Sequence, residues 1–324
     1  MLSVEWLICL CLTRVCYALV MESLPQRALR KLREWQFNRA ARAVLATPPL
    51  RAADDGLVIF SMIGTRVLLP YLVAAKSFHA QLGRGRFAVL DDGTLTAADK
   101  AVLAHHLDQP LVLSIDRVAL GDCPKGGCWE RLLSLLELRR QDYVIQLDSD
   151  TVTLGPMPEV AAAIAEGRNF TLKGDETSRL QSAGAFARDL AEVPADAHVQ
   201  ARIEAVMGRI DAGLPKPLHY VRGCAGFAGF AAGGLDRKAA DGFSREARSL
   251  LGDAKWGQWG SEQVMSNVIV SNEGEPLLLP YDRYLNYWGE PGVVQGAVVH
   301  FLGTCRFERG MYRRCARQAI AALG

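Results

Sequence analysis

Asp148-Ser149-Asp150 is the stretch of this chain whose residue types and spacing best suit chemistry. Two carboxylates at i and i+2 follow the apolar run Tyr143-Val144-Ile145-Gln146-Leu147. Side chains two apart on an extended chain point the same way. Two hard oxygen ligands therefore converge just past a buried strand, where open α/β sheets place their ligand crevice. Such a pair suits Mg²⁺ or Mn²⁺, held by few protein groups with positions left for phosphate oxygens.

The elements that must position this pair alternate in type. Leu57–Phe60 reads as a buried strand, followed by a turn at Ser61-Met62-Ile63-Gly64, and Val67–Leu82 as a helix. Phe87–Leu90 is a second strand closing in Asp91-Asp92-Gly93, and Thr96 caps a helix over 97–107. Leu111–Ile115 is a third strand, and a Gly/Cys-rich loop leads to a helix over Trp129–Arg140. Strands separated by helical patterns of this length predict βαβ units: an α/β fold with a mostly parallel central sheet flanked by helices. Ser61, Asp91/Asp92, Ser114 and finally Asp148/Asp150 gather on its carboxyl edge, a setting that suits a nucleotide. No Gly-x-Gly-x-x-Gly follows the first strand and no Walker loop exists, which excludes an ordinary dinucleotide fold and a P-loop enzyme.

Beyond Asp150 the pattern loosens. Val160–Glu166 is helical, and 173–219 reads as helices and loops covering one side. Cys224-Ala225-Gly226-Phe227-Ala228-Gly229-Phe230 predicts a strand closely approached by a ligand or another backbone. A Trp/Gly loop from Trp256 runs into a helix near Ser261 with Glu262 in its first turn. Pro276–Pro280 is a short strand, Tyr281–Trp288 an aromatic loop, and Val298–Phe301 a last strand before a basic C-terminal helix.

Residues 1–50 form an apolar and basic helical extension. Trp6–Leu12 and Val15–Met21 are apolar but interrupted by Arg14, short of the ~20 residues that span a bilayer. A signal peptide fits poorly, because Glu5 precedes the apolar run, and Met21 is an alternative start. Over Leu24–Leu45 the apolar period is helical, with Arg27, Arg30, Lys31, Arg33, Arg39 and Arg42 set against Glu34. That face suits either an anionic membrane surface or a solvated helix packed on the domain. Thr47-Pro48-Pro49 stops it.

Half of the 324 residues are apolar and 22% are charged, enough for a sizeable core. A net charge of +2 argues against a nucleic-acid partner. The eight cysteines lack a Cys-x-x-Cys pair, which argues against a zinc ribbon. They are read as reduced thiols of a cytoplasmic protein, at the inner membrane face if the basic helix meets lipid.

Taken together, Asp148-Ser149-Asp150, Arg131-Leu132 in the preceding helix, and His300-Phe301-x-Gly303-x-x-Arg306 resemble motifs of the GT-A glycosyltransferases, family 8 in particular. The resemblance runs from about Leu57 to the C-terminus. It implies one domain over 51–324, with a nucleotide-sugar half at about 51–155. A smaller acceptor half and the C-terminal helix fill 156–324. It also implies Asp148, Asp150 and His300 as metal ligands, the imidazole favouring Mn²⁺ over Mg²⁺. Arg131, Gly303 and Arg306 fall at donor-binding positions, and Ser61 and Asp92 are candidates for base and ribose. Glu262 and Gln263 lie near the sugar as catalytic or positioning groups. The expected activity is transfer from a nucleotide-sugar, UDP-linked by family frequency, to a glycan, lipid or protein acceptor, in a setting such as surface polysaccharide synthesis.

The chain departs from the family pattern at three places. Arg306 replaces Lys, Val264 stands where the second acid of Asp-Gln-Asp-x-x-Asn belongs, and Cys224 replaces the Asn of Asn-Ala-Gly. Two other readings follow from the residues. Gly64-Thr65-Arg66-Val67-Leu68-Leu69-Pro70 resembles the loop of sugar-1-phosphate nucleotidyltransferases, though without its preceding glycines. The Val264 and Cys224 departures would suit a carbohydrate- or nucleotide-binding relative without turnover.

Overall fold

The computed structural model describes residues 24–190, 193–292 and 294–324. The apolar runs before Leu24, the alternative start at Met21, and Cys9, Cys11 and Cys16 lie outside the described residues.

The predicted alternation is present. The helix α1 (Leu24–Ala41) leads into β1 (Leu57–Ile63), α2 (Leu68–Leu82), β2 (Arg86–Asp91), α3 (Ala97–His106), β3 (Leu111–Ser114), α4 (Trp129–Leu138) and β4 (Tyr143–Leu147). β1, β2 and β4 are buried almost throughout, as parallel strands covered on both faces must be. β3 is the edge strand and leaves Leu111 and Val112 exposed. At the start of α3 the Thr96 hydroxyl accepts from Asp99 N while Asp99 accepts from Thr96 N, a reciprocal cap.

The second half supplies β5 (Thr151–Thr153), α5 (Pro158–Ala165), β6 (Phe170–Lys173), β7 (Gln181–Ser182), α6 (Ala183–Asp189), α7 (Val199–Val206), β8 (His219–Tyr220) and β9 (Gly223–Phe230). It closes with α8 (Arg237–Leu251), α9 (Asp253–Trp256), α10 (Ser261–Ser271), β10 (Leu277–Leu278), β11 (Tyr284–Tyr287), β12 (Val298–Phe301) and α11 (Met311–Ala321). The central sheet has seven strands in the order β10-β6-β9-β4-β1-β2-β3, with β9 antiparallel to both neighbours and the other pairs parallel. β11, β12 and β5 form a second sheet beside it.

Two expectations are corrected. The turn at Ser61–Gly64 is strand as far as Ile63, because β1 stays in register with β2 up to Ile63 opposite Asp91. The aromatic loop at Tyr281–Trp288 contains β11, which pairs in parallel with β12. Both segments look like loop locally and are drawn into strand by partners distant in sequence.

The core has two halves, one on each face of the sheet. One holds Tyr71 and Phe78 of α2 with Tyr312 of α11. The other holds Trp129, Phe243 and Trp256. α1 is part of the first half: Phe37 is buried and stacks on Tyr312 with ring centroids 3.9 Å apart. Behind it the buried Lys76 ammonium donates to the carbonyls of Thr47 (3.3 Å) and Pro48 (2.7 Å), fixing the segment that ends the helix. No described helix is long and apolar enough to cross a membrane.

Candidate functional site

β4 is buried along its whole length and releases the chain at Asp148. Asp148 N donates to Gly226 O of β9 (2.8 Å), so the neighbouring strand holds the exit. Thr151 then closes a tight turn, its N–H and hydroxyl both donating to Asp148 O (3.2 and 2.9 Å). That turn aims Asp148 and Asp150 to one side and returns the chain as β5.

β5 is what brings the distant histidine in. β12 lies antiparallel to it with His300 opposite Thr151, and Phe301 N donates to Asp150 O (2.9 Å). His300 Nε2 stands 3.2 Å from Asp150 Oδ1. Ligating atoms of Asp148, Asp150 and His300 all lie within 4.8 Å of one another. Asp150 and His300 are buried, and Asp148 is half-buried at the mouth.

The surroundings fit a divalent cation. Asn286, opposite His300 in β11, donates both amide hydrogens to carbonyls, of Lys173 (2.9 Å) and Gly174 (3.1 Å). Its oxygen is therefore the atom that faces His300 Nδ1, at 3.0 Å. This places a proton on Nδ1 and turns Nε2 toward the aspartates. Although burial opposes the charge, Cys224 and Asp150 raise the imidazole pKa, so Nε2 donates to Asp150. A bound cation would displace that proton and take the lone pair, with Asn286 as the outer partner. Two carboxylates and one imidazole suit a divalent cation. The ring seat also needs a glycine: a Cβ on Gly226 would lie 2.3 Å from His300 Cε1. Cys224, two residues earlier on the same strand, places Sγ 3.3 Å from Nδ1.

Each aspartate also carries an arginine. Arg131, buried on α4, donates from Nη1 to Asp148 Oδ1 (2.5 Å) and from Nη2 to Glu262 (3.3 Å to Oε2). Its Nε is buried with no partner among the described residues. Arg306 contacts Asp150 Oδ2 through Nη2 and donates from Nε to Phe301 O (3.2 Å). Gly303, at φ +39, makes the turn that folds Arg306 back, and no atom lies within 4 Å of where its Cβ would be. All three motifs of the sequence reading thus meet at one place.

Charge in this crevice is set by competition. Burial pushes the Asp150 carboxyl upward, but His300 and Arg306 outweigh it and bring the pKa down to about 2. Burial dominates at Asp148 and, with the like charge of Asp150, raises it against the pull of Arg131. Glu262 is raised to about 7, chiefly by burial, with Arg131 opposing. One carboxylate is thus held ionised, and a nearby one sits close to its midpoint at neutral pH.

The other predicted residues sit around this centre unequally. Gln263 accepts from Ala225 N (3.3 Å), between Cys224 and Gly226 beside His300, and donates to Gln200 Oε1 (3.4 Å). Val264 is fully buried and belongs to the core. Asp92 follows β2, two strands from β4, and accepts from Thr94 N (2.9 Å) and Oγ1 (2.6 Å); its carboxylate lies over Gly64, just past β1. Ser61 does not end its strand: its buried hydroxyl donates to Leu147 O (2.5 Å), tying β1 to β4. Gly64 is extended, and Thr65–Val67 is a 3₁₀ turn bound to the α3 cap through Thr65 Oγ1 and Asp99 (2.7 Å). Asn286 and Gly226 had no place in the sequence reading of the metal site; only the small-residue run around Gly226 signalled a close approach there.

No protein family and no curated protein sequence matches the chain. Solved structures similar to it include the bifunctional glycosyltransferase WbbM in its apo form. The identity is 14% and the TM-score 0.47, over 79% of this chain and 47% of that one. The galactosyltransferase LgtC with donor and acceptor sugar analogues is also 14% identical, with a TM-score of 0.43 over 76% of this chain and 87% of that one. Mouse xyloside xylosyltransferase 1 is 11% identical, with a TM-score of 0.40 over 78% of this chain and 98% of that one. The chain thus spans less than half of WbbM and most of the other two.

Proposed function

We propose that the protein is a metal-dependent glycosyltransferase that moves a sugar from a nucleotide-sugar, a UDP-sugar in the first instance, to a glycan, lipid or protein acceptor. One observation carries this reading: Asp148, Asp150 and the Nε2 of His300 converge within 4.8 Å, at the carboxyl edge of a largely parallel sheet. Asp148, Asp150 and His300 would hold Mn²⁺. When bound there, the ion supplies Lewis-acid stabilisation of the departing diphosphate.

The chain's own residues do the rest. Asn286 holds a proton on His300 Nδ1 and so leaves Nε2 to the ion. Arg131 and Arg306, already beside the two aspartates, supply preorganised positive charge for the phosphates. Arg306 presents a planar fork where the resembling family has a point charge, which suits two phosphate oxygens at once. Glu262, ion-paired to Arg131 and near its midpoint at neutral pH, orients that arginine and can exchange a proton. Asp92 remains the exposed polar group on the neighbouring strand ends toward which a ribose or base would extend.

The test is a panel of nucleotide-sugars with Mn²⁺, comparing the parent with Asp150→Ala. Turnover of at least one donor by the parent, and its loss of several orders of magnitude in the variant, is expected. Equal turnover in the two proteins would remove the metal assignment. Release of pyrophosphate from a nucleoside triphosphate and a sugar phosphate would instead identify a nucleotidyltransferase.

A further inference from the structure

The outward face of α1 has no role in the reaction above, and its composition is unusual for a solvated helix. Leu24, Ala28, Leu32 and Trp35, spaced i, i+4, i+8 and i+11, fall on one face. All four are exposed: Leu24 at 79%, Leu32 at 49%, Trp35 at 57%, and Ala28 with them. The opposite face carries Phe37 and Ala41 into the core. Five of the eight exposed large apolar side chains among the described residues lie at this one place: Leu24, Leu29, Leu32, Trp35 and the adjoining Leu45. Isolated exposed leucines need no explanation, whereas a contiguous stripe does.

Basic residues outnumber acidic ones around the stripe, with Arg33 paired to Glu308 (2.7 Å) and Glu34 to Arg66 (2.9 Å). α1 carries Arg27, Arg30, Lys31, Arg33 and Arg39 against Glu34 alone, in a chain whose net charge is only +2. Arg39 lies over the Trp35 ring, its guanidinium carbon 5.9 Å from the centroid.

We propose that this face docks on the surface of an anionic phospholipid bilayer, with Leu24, Leu32 and Trp35 inserted at the headgroup boundary and the basic side chains on the lipid phosphates. An apolar stripe flanked by cations is the pattern of a helix lying in the membrane plane. A second copy of the chain is a poor occupant, because pairing the stripes would set like charges against each other. The sequence before Leu24 also carries the apolar runs 6–12 and 15–21. Stable peripheral attachment takes two weak signals together, and an apolar lead-in beside a basic helix provides them. The inference is independent of the catalytic reading.

Flotation of the full chain with phosphatidylcholine vesicles, with and without phosphatidylglycerol, tests it. The parent should float with the anionic vesicles, remain behind with the neutral ones, and be released by raised salt. Leu32→Glu with Trp35→Glu should lower partitioning about tenfold or more, since each charge replaces an inserted apolar group. The thermal midpoint should not change, because both side chains are exposed. Arg27→Glu with Lys31→Glu should have the same effect through charge alone. Any of three results would overturn the proposal: the Leu32/Trp35 variant floats like the parent; neutral and anionic vesicles bind equally; or the parent is a dimer that this variant dissolves, with no flotation of either.

Discussion

Asn286 has two amide hydrogens, and both go to backbone carbonyls, so its oxygen alone is left for His300. Asn286→Leu removes the oxygen that accepts from Nδ1, leaving only Cys224 Sγ beside that nitrogen, and keeps the three ligands in place. Outer partners of this kind are worth roughly 10–100-fold in metal affinity. Mn²⁺ titration followed by electron paramagnetic resonance should show a loss in that range, and an unchanged affinity would dissociate Asn286 from the metal site. Gly226→Ala should be more severe, because the added methyl and the imidazole ring cannot occupy the same space.

Glu262 gives a pH signature. Its folded pKa, about 7, lies above the ordinary value of 4.5, so the folded protein binds this proton more tightly than the unfolded chain. The sign follows: the group's stabilisation is full below pH 4.5, declines as pH rises, and is gone above about 7. Glu262→Gln removes that loss. Its stability relative to the parent should improve between pH 4.5 and 7, by up to about 3 kcal/mol. Paired thermal melts in chelator would show it, and parallel pH profiles for parent and variant would contradict it. Any fixed cost of removing a partner from Arg131 is the same at every pH and drops out of the comparison.

His300 could be matched to the aspartates from motif order alone, but what holds it could not. Asn286 reaches the imidazole only because β11 pairs with β12 in one register, and that pairing was hidden where Tyr281–Trp288 looked like loop. Ser61 illustrates the converse. It looked like the first residue of a turn, yet strand pairing carries β1 two residues further and buries the hydroxyl. The parallel alternation from β1 to β4 was legible because each strand is a local apolar run between recognisable helices. The antiparallel setting of β9 was not, since a strand's sequence does not name its neighbours. The segment Gly303–Cys305 makes a testable link between such an element and the donor. At φ +39, Gly303→Val strains the turn by about 1–2 kcal/mol and displaces Arg306. The donor KM should rise several-fold while Mn²⁺ affinity holds, because His300 is positioned independently by β5 and β11. Equal losses in both would mean that the turn supports the metal site as well.

Both ends of the described chain converge behind the metal loop. Phe37 of α1 stacks on Tyr312 of α11 at 3.9 Å, and Tyr312 stacks on Phe301, the residue after His300, at 4.4 Å. The Tyr312 hydroxyl donates to the carbonyl of Ser149, between the two aspartates (3.1 Å). A continuous aromatic column therefore runs from the basic helix to the Asp-Ser-Asp turn, although its members are far apart in sequence. Tyr312→Phe keeps the column and deletes only the hydrogen bond. A loss of about 1 kcal/mol is expected, with a measurable weakening of Mn²⁺ binding as the turn loosens. Phe37→Ala should cost about 3–5 kcal/mol, because it empties a buried ring site in the main core. The two variants separate support from specificity. If α1 only shields the core, Phe37→Ala lowers the melting temperature but leaves metal affinity below the transition untouched. If the column transmits position, Phe37→Ala weakens Mn²⁺ binding in the folded protein as Tyr312→Phe does. The direct stack of Phe37 on the ring that grips Ser149 predicts the second outcome.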